Sequence, residues 1–167
     1  MTLSLRERCA GIELLVLDVD GVLTPGGIVY GDSGLEIKAF HVRDGSGLKL
    51  WHAAGRRSAI LTGRRSPVVA VRAAELGVAS VCQGAADKLA GLQRLQEEAG
   101  VPPRATCYVG DDLPDVPAMR AVGLAVAVAD ACPEARAAAH YVTAAGGGRG
   151  AVREAVERIL RCQDRWR

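Results

Sequence analysis

Short apolar runs recur at five places along the 167 residues: Leu14 to Val19, Ser58 to Leu61, Val78 to Cys82, Thr106 to Val109 and Leu124 to Val128. Each ends in a polar or glycine-containing turn. Runs of this length fit strands buried on both faces of a parallel sheet. Helix-like stretches accompany them at Gly47 to Ala54, Pro67 to Leu76, Ala86 to Ala99, Pro114 to Ala121 and, last, Ala151 to Cys162. Alternation of this kind predicts a doubly wound, Rossmann-like α/β fold with a mainly parallel sheet. Ser66-Pro67 marks a helix start, a capping hydroxyl followed by proline at the first helical position. One segment breaks the rhythm: Gly26-Gly27, the β-rich Ile28-Val29-Tyr30, the turn Gly31 to Gly34, then Leu35 to Phe40. It reads as a β-hairpin over about residues 24–41, inserted after the first strand. No other insertion is long enough for a cap domain, so a single domain is expected over 1–167. Gly146 to Gly150 reads as a flexible turn opening a C-terminal tail of about 146–167.

Composition narrows the partners. Apolar residues make up 49% and charged residues 24%, with a net charge of +2 and the basic residues scattered, which argues against an extended nucleic-acid or membrane footprint and leaves small anionic ligands open. The five cysteines show no C-x-x-C spacing, arguing against a zinc site and a disulfide framework and for reduced thiols. Residues 1–11 contain Arg6, Glu7 and Arg8 without the apolar centre of a signal peptide, so a cytoplasmic location is expected.

In a doubly wound sheet, ligands bind beyond the carboxyl ends of the strands. The first run closes on Asp18 and Asp20, which share one face of the strand where the chain breaks at Gly21. The second is followed by Thr62-Gly63-Arg64 and the fourth by Gly110-Asp111-Asp112, with Asp115 close behind. Lys88 opens the third helix-like stretch. Taken singly, each has an ordinary explanation: a capped turn, a strand-end hydroxyl, a solvated lysine. Taken as an ordered set at four element ends, they describe a phosphoryl-transfer site. Clustered carboxylates repel one another and an incoming phosphate, so a hard divalent cation is required among them, and Mg²⁺ suits oxygen ligands best. Asp18 and Asp111 are the candidate carboxylate ligands. A carboxylate so placed can attack phosphorus and form an aspartyl-phosphate. Asp20 can protonate the leaving oxygen and later deprotonate water. Thr62 and Lys88 can hold the remaining phosphoryl oxygens.

The same residues, D-x-D-G at Asp18 to Gly21, T-G-R at Thr62 to Arg64, the isolated Lys88 and G-D-D-x-x-D at Gly110 to Asp115, resemble the haloacid dehalogenase superfamily. Within it, Phe40 to Gly47, Tyr108 to Met119, Ala125 to Ala131 and Gly147 to Glu154 are similar to the bacterial 3-deoxy-D-manno-octulosonate 8-phosphate phosphatases, a likeness running from about Leu14 to Leu160. The resemblance implies a capless, Mg²⁺-dependent homotetramer of lipopolysaccharide biosynthesis whose sites are completed by the hairpins and tails of neighbouring subunits. It implies Asp18 as nucleophile and ligand, Asp20 as acid/base and as ligand through its backbone carbonyl, and Asp111 as third ligand. It further implies substrate contacts from Asp20, His41, Val42, Arg43, Asp44, Gly45, Lys49, Arg64, Arg72 and Lys88, a cationic surround suited to a phosphate and a carboxylate. Arg149 fits either a cross-subunit contact or a solvated turn. Three positions depart from the family pattern: His41 stands for asparagine, Lys49 for arginine and Cys132 for histidine. None removes a catalytic group, although lysine at 49 lacks arginine's bidentate fork.

Three rival readings differ from this one at identifiable residues. A signalling receiver places its phosphoacceptor after a middle strand, whereas no aspartate ends Val78 to Cys82. A non-catalytic oligomerisation module of similar fold lacks the full set of Asp18, Asp20, Lys88 and Asp111. A nine-carbon ulosonic acid 9-phosphate phosphatase is expected to carry glutamate after the T-G pair, so Arg64 favours the eight-carbon substrate.

Overall fold

The computed structural model describes residues 3–166. Met1, Thr2 and Arg167, the ends of the expected 1–167 domain, lie outside the described residues. In chain order the elements are α1 (Leu5–Ala10), β1 (Leu14–Leu17), β2 (Val29–Tyr30), β3 (Glu36–Ile37), α2 (Val42–Ala53), β4 (Arg57–Thr62), α3 (Pro67–Leu76), β5 (Ser80–Gln83), α4 (Lys88–Ala99), β6 (Thr106–Gly110), α5 (Val116–Arg120), β7 (Leu124–Ala127), α6 (Pro133–Ala138), β8 (Tyr141–Val142) and α7 (Ala151–Cys162). The strands order as β5-β4-β1-β6-β7-β8, every pair parallel, while β2 and β3 form a separate antiparallel hairpin. The doubly wound α/β sheet and the hairpin after the first strand are therefore as the sequence predicts. Helices α1, α2, α3 and α7 pack together, and α4, α5 and α6 pack among themselves, the two-sided covering that parallel strands need. Every residue of β1, β6 and β7 is buried.

The differences from expectation lie at short elements and at glycines. Helix α1, helix α6 and edge strand β8 were not foreseen. Each is six residues or fewer, too short for a periodic pattern. Helix α2 begins at Val42 rather than Gly47, because Gly45 and Gly47 are accommodated for packing. A Cβ would stand 2.6 Å from the Arg72 guanidinium at Gly45 and 3.0 Å from the Arg153 backbone at Gly47. Helix α3 starts at Pro67 as predicted, yet the Ser66 side chain makes no cap bond; its N–H instead donates to Gln83 Oε1 at 2.7 Å.

The expected flexible turn at Gly146 to Gly150 is instead pressed against the loop after β1. Gly148 N–H donates to Val22 O at 2.8 Å and Gly147 N–H to Asp130 Oδ1 at 2.9 Å. A Cβ on Gly147 would lie 1.7 Å from Gly21 O, so this backbone approach admits only glycine. The C-terminal tail thus fastens the D-x-D-G loop.

Candidate active site

Strand register assembles the site. Leu17 pairs with Ile60 of β4 and with Val109 of β6, so the three adjacent strands end level with one another. Asp18, Thr62 and Asp111 emerge together, and Asp18 N–H is tied to Val109 O at 3.1 Å. Gly21, at φ +92°, turns the chain away. A Cβ there would fall 2.0 Å from Asp111 Oδ2, so the absent side chain lets Asp111 lie against the loop. Beyond β5, Ala85 N–H bonds Thr62 O at 3.1 Å and leads into α4, capped by Asp87, whose first residue is Lys88. One crevice is lined by Asp18, Asp20, Thr62, Arg64, Lys88 and Asp111.

A residue that sequence reasoning left without a role organises the centre. Asp115 is fully buried. Its Oδ1 accepts from Lys88 Nζ at 2.5 Å and from Tyr108 OH at 2.6 Å, and its Oδ2 accepts from Asp111 N at 3.0 Å and Asp112 N at 3.1 Å. Four donors saturate this carboxylate. Lys88 Nζ also lies 2.9 Å from Asp18 Oδ2. An ammonium has three N–H groups, so one stays available for a phosphoryl oxygen. Burial opposes the Lys88 charge, but Asp18 and Asp115 outweigh it and raise its pKa. Tyr108 carried no signal in the sequence, being one apolar-looking position in a buried strand.

Three carboxylates, Asp18, Asp111 and Asp115, offer oxygens within 4.8 Å of one another. Since Asp115 is saturated, the free acceptors belong to Asp18 and Asp111, and Asp111 Oδ1 is buried with no hydrogen-bond partner among the described residues. Burial and then the Asp115 charge push Asp18 up to about 6; burial and then the Asp18 charge push Asp111 up to about 8. An unpartnered buried oxygen beside mutually repelling carboxylates fits a hard divalent cation. The Asp20 side chain is not in this cluster. It turns toward Lys38, with which it forms an ion pair, and toward Arg64 Nε at 3.7 Å.

The structure does not bring the whole expected substrate set together. Thr62, Arg64 and Lys88 line the crevice with Asp20, whereas His41, Val42, Arg43, Asp44, Gly45, Lys49 and Arg72 are absent from its lining within this chain. Asp44 points into the fold: its Oδ1 accepts from Arg153 N at 2.9 Å and its Oδ2 from Gly150 N at 3.1 Å, so it caps α7. Arg72 lies over the Phe40 ring at 5.6 Å and bonds Glu75 at 3.1 Å. His41 caps α2, its Nδ1 accepting from Arg43 N at 3.2 Å, and Cys132 caps α6, its Sγ accepting from Ala135 N at 3.4 Å. Both unusual side chains thus serve as helix caps here. Val42, Arg43 and Lys49 are exposed.

Comparison with known proteins places this geometry. A family model of haloacid dehalogenase-like hydrolases matches residues 54–153. The chain is 47% identical over 159 residues to the 3-deoxy-D-manno-octulosonate 8-phosphate phosphatase of Yersinia pestis, covering 95% of this chain and 85% of that protein. The crystal structure of the Yersinia pestis enzyme matches with a TM-score of 0.94 over 96% of this chain and 86% of that one. A structure of the 3-deoxy-D-manno-octulosonate 8-phosphate phosphatase of Moraxella catarrhalis, in complex with magnesium ion, phosphate ion and a KDO molecule, matches with a TM-score of 0.93. It is 43% identical, with 95% of this chain and 91% of that chain covered.

Proposed function

Because this chain belongs to the haloacid dehalogenase-like hydrolases, among the 3-deoxy-D-manno-octulosonate 8-phosphate phosphatases, we propose that it hydrolyses 3-deoxy-D-manno-octulosonate 8-phosphate to the free sugar acid and phosphate, a step of lipopolysaccharide biosynthesis. The observation that carries the chemistry is Asp18, buried at a strand end, 2.9 Å from Lys88 and beside an Asp111 oxygen that has no partner. An Asp18 oxygen attacks phosphorus, and the bond to the sugar oxygen breaks as Asp20 gives that oxygen a proton. Asp20 then takes a proton from water, which attacks phosphorus of the aspartyl-phosphate and frees Asp18 with inorganic phosphate. Lys88, through its spare N–H, and Thr62 hold the phosphoryl oxygens. The Asp18 and Asp111 side chains and the Asp20 carbonyl would hold Mg²⁺, which would supply the positive charge that lets a dianionic phosphate approach these carboxylates. Asp115 keeps Lys88 and the Asp111 loop in place.

The proposal includes a homotetramer in which neighbouring subunits close the crevice. Support comes from the hairpin, where Ile28, Val29, Tyr30, Leu35 and Ile37 are all exposed apolar side chains. Support also comes from the cationic segment around Arg43, Lys49 and Arg72, which is left off its own crevice. His41 to Gly45, Lys49 and Arg72 would then face the substrate carboxylate across an interface, with Asp44 acting by fastening the start of α2. Among the described residues no helix is long and apolar enough to cross a membrane, and a cytoplasmic location is part of the proposal. The test is a turnover panel of eight- and nine-carbon ulosonate phosphates and simple sugar phosphates, with and without chelator. Preference for the eight-carbon ester, lost on chelation, is expected. Equal turnover of simple sugar phosphates would contradict the substrate assignment, and chelator-insensitive turnover the cation.

A further inference from the structure

Among the hairpin charges that the mechanism above leaves unused, Lys38 lies nearest the chemistry. Lys38 follows β3, and its side chain is 1% exposed. Its ammonium bonds Asp20 Oδ1 and lies 3.3 Å from Glu36 Oε1. From the end of β4, Arg64 reaches the same two carboxylates, 2.9 Å from Glu36 Oε1 and 3.7 Å from Asp20 Oδ2. Each carboxylate therefore faces both cations. Lysines are almost never sunk this far unless paired, and a pair of this kind is weak evidence of a contribution to stability, because desolvation offsets attraction. The arrangement nevertheless determines where the Asp20 carboxyl points. Among the described residues Lys38 bonds Oδ1, while the charged partner of Oδ2 is Arg64, at a distance too long for a hydrogen bond. Arg64 is 44% exposed on a flexible side chain and is a loose restraint. Lys38 is the rigid one.

We propose that Lys38 is a positioning residue for the reaction: it holds Asp20 by Oδ1 so that Oδ2 faces the crevice and exchanges the proton, with Glu36 steadying the ammonium. The inference rests on the reading of Asp20 as acid/base. It also makes the hairpin part of the catalytic apparatus, since alignment of the proton donor depends on an element outside the main sheet.

Leaving-group dependence tests this. An alkyl alcohol must be protonated as it departs, whereas p-nitrophenolate is stable enough to leave without a proton. The readout is the first-turnover rate with 3-deoxy-D-manno-octulosonate 8-phosphate and with p-nitrophenyl phosphate, for the wild type, Lys38→Met, Lys38→Arg and Asp20→Asn. General acid catalysis contributes roughly 10²–10⁴-fold, so Lys38→Met is expected to slow the sugar ester by ~10-fold or more while nitrophenolate release changes less than about threefold. Lys38→Arg should recover part of the loss. Equal slowing of both esters, or no slowing, overturns the assignment. Asp20→Asn separates the two ideas: if it shows the leaving-group dependence and Lys38→Met does not, only the role of Lys38 fails. If Asp20→Asn lacks the dependence, the acid/base reading fails with it. Should Lys38→Met not fold, Glu36→Gln, which loosens the ammonium, is expected to give a smaller effect in the same direction, and its absence counts against the proposal.

Discussion

Replacing Asp44 separates a residue that binds substrate from one that holds the fold. Its two oxygens receive the Gly150 and Arg153 N–H groups at 3.1 and 2.9 Å, joining the start of α2 to the start of α7, and its side chain is buried. Asp44→Ala leaves both donors without an acceptor, at ~1–3 kcal/mol each for a buried amide. Part of this is returned, since burial pushes the Asp44 carboxyl above the ordinary range despite those N–H groups, so keeping it ionised carries a cost. A net loss of about 2–4 kcal/mol follows, above the roughly 0.5–2 kcal/mol of an ordinary lost helix cap because both donors are left inside the fold. At roughly 2–4 °C per kcal/mol for a chain of this size, the melting temperature should fall by about 5–15 °C. Asp44→Asn keeps one acceptor and removes the buried charge, so its fall should be about half as large. Thermal melts and steady-state kinetics, the latter well below the transition, are read together. The expected result is a large change in Tm with KM nearly unaltered. A raised KM with an unchanged melt would refute the capping argument and return Asp44 to the substrate.

Two further outcomes are expected. The Glu154 carboxylate is opposed by partial burial, yet the Tyr141 hydroxyl and the Ala144 and Ala145 N–H groups outweigh it and lower its pKa. A depressed carboxyl pKa gives stability that is present above the ordinary carboxylate range and lost as pH falls through the folded value. The urea-unfolding gap between wild type and Glu154→Gln should therefore be wide at pH 7 and shrink toward pH 4; a gap independent of pH would count against it. Gly147→Ala places a methyl 1.7 Å from Gly21 O, which only backbone movement can relieve. It should cost ~3 kcal/mol or more in denaturant titration and lower turnover by disturbing the loop between Asp20 and Thr24, and a stable, fully active variant would show the tail to be slack.

The fold was legible where burial alone dictates the pattern. Uninterrupted apolar runs mark the central strands, and their polar ends mark the crevice, because parallel pairing in register brings Asp18, Thr62 and Asp111 level. What could not be read depends on contacts between distant segments. Asp44 gave the same signal as a substrate-binding helix start until α7 was seen to sit on it. Asp115 stood in the sequence as the last acid of G-D-D-x-x-D with no role of its own, and only the fold shows Tyr108, Lys88 and two N–H groups converging on it. Lys38 and Glu36 were ordinary hairpin charges whose meaning arises when the hairpin folds back over Asp20. The glycines of the tail look the same in a sequence whether they allow motion or, as here, close approach.

The central claim, that Asp18 attacks phosphorus, is tested most directly by trapping. Enzyme turning over 3-deoxy-D-manno-octulosonate 8-phosphate with Mg²⁺ is quenched in acid and treated with borohydride, which reduces an acyl phosphate to homoserine, and the product is located by peptide mass spectrometry. Homoserine at position 18, formed only with substrate and absent in Asp18→Asn, is the predicted result. Phosphate release from Asp18→Asn at the wild-type rate, with no homoserine at position 18 in the wild type, would contradict it.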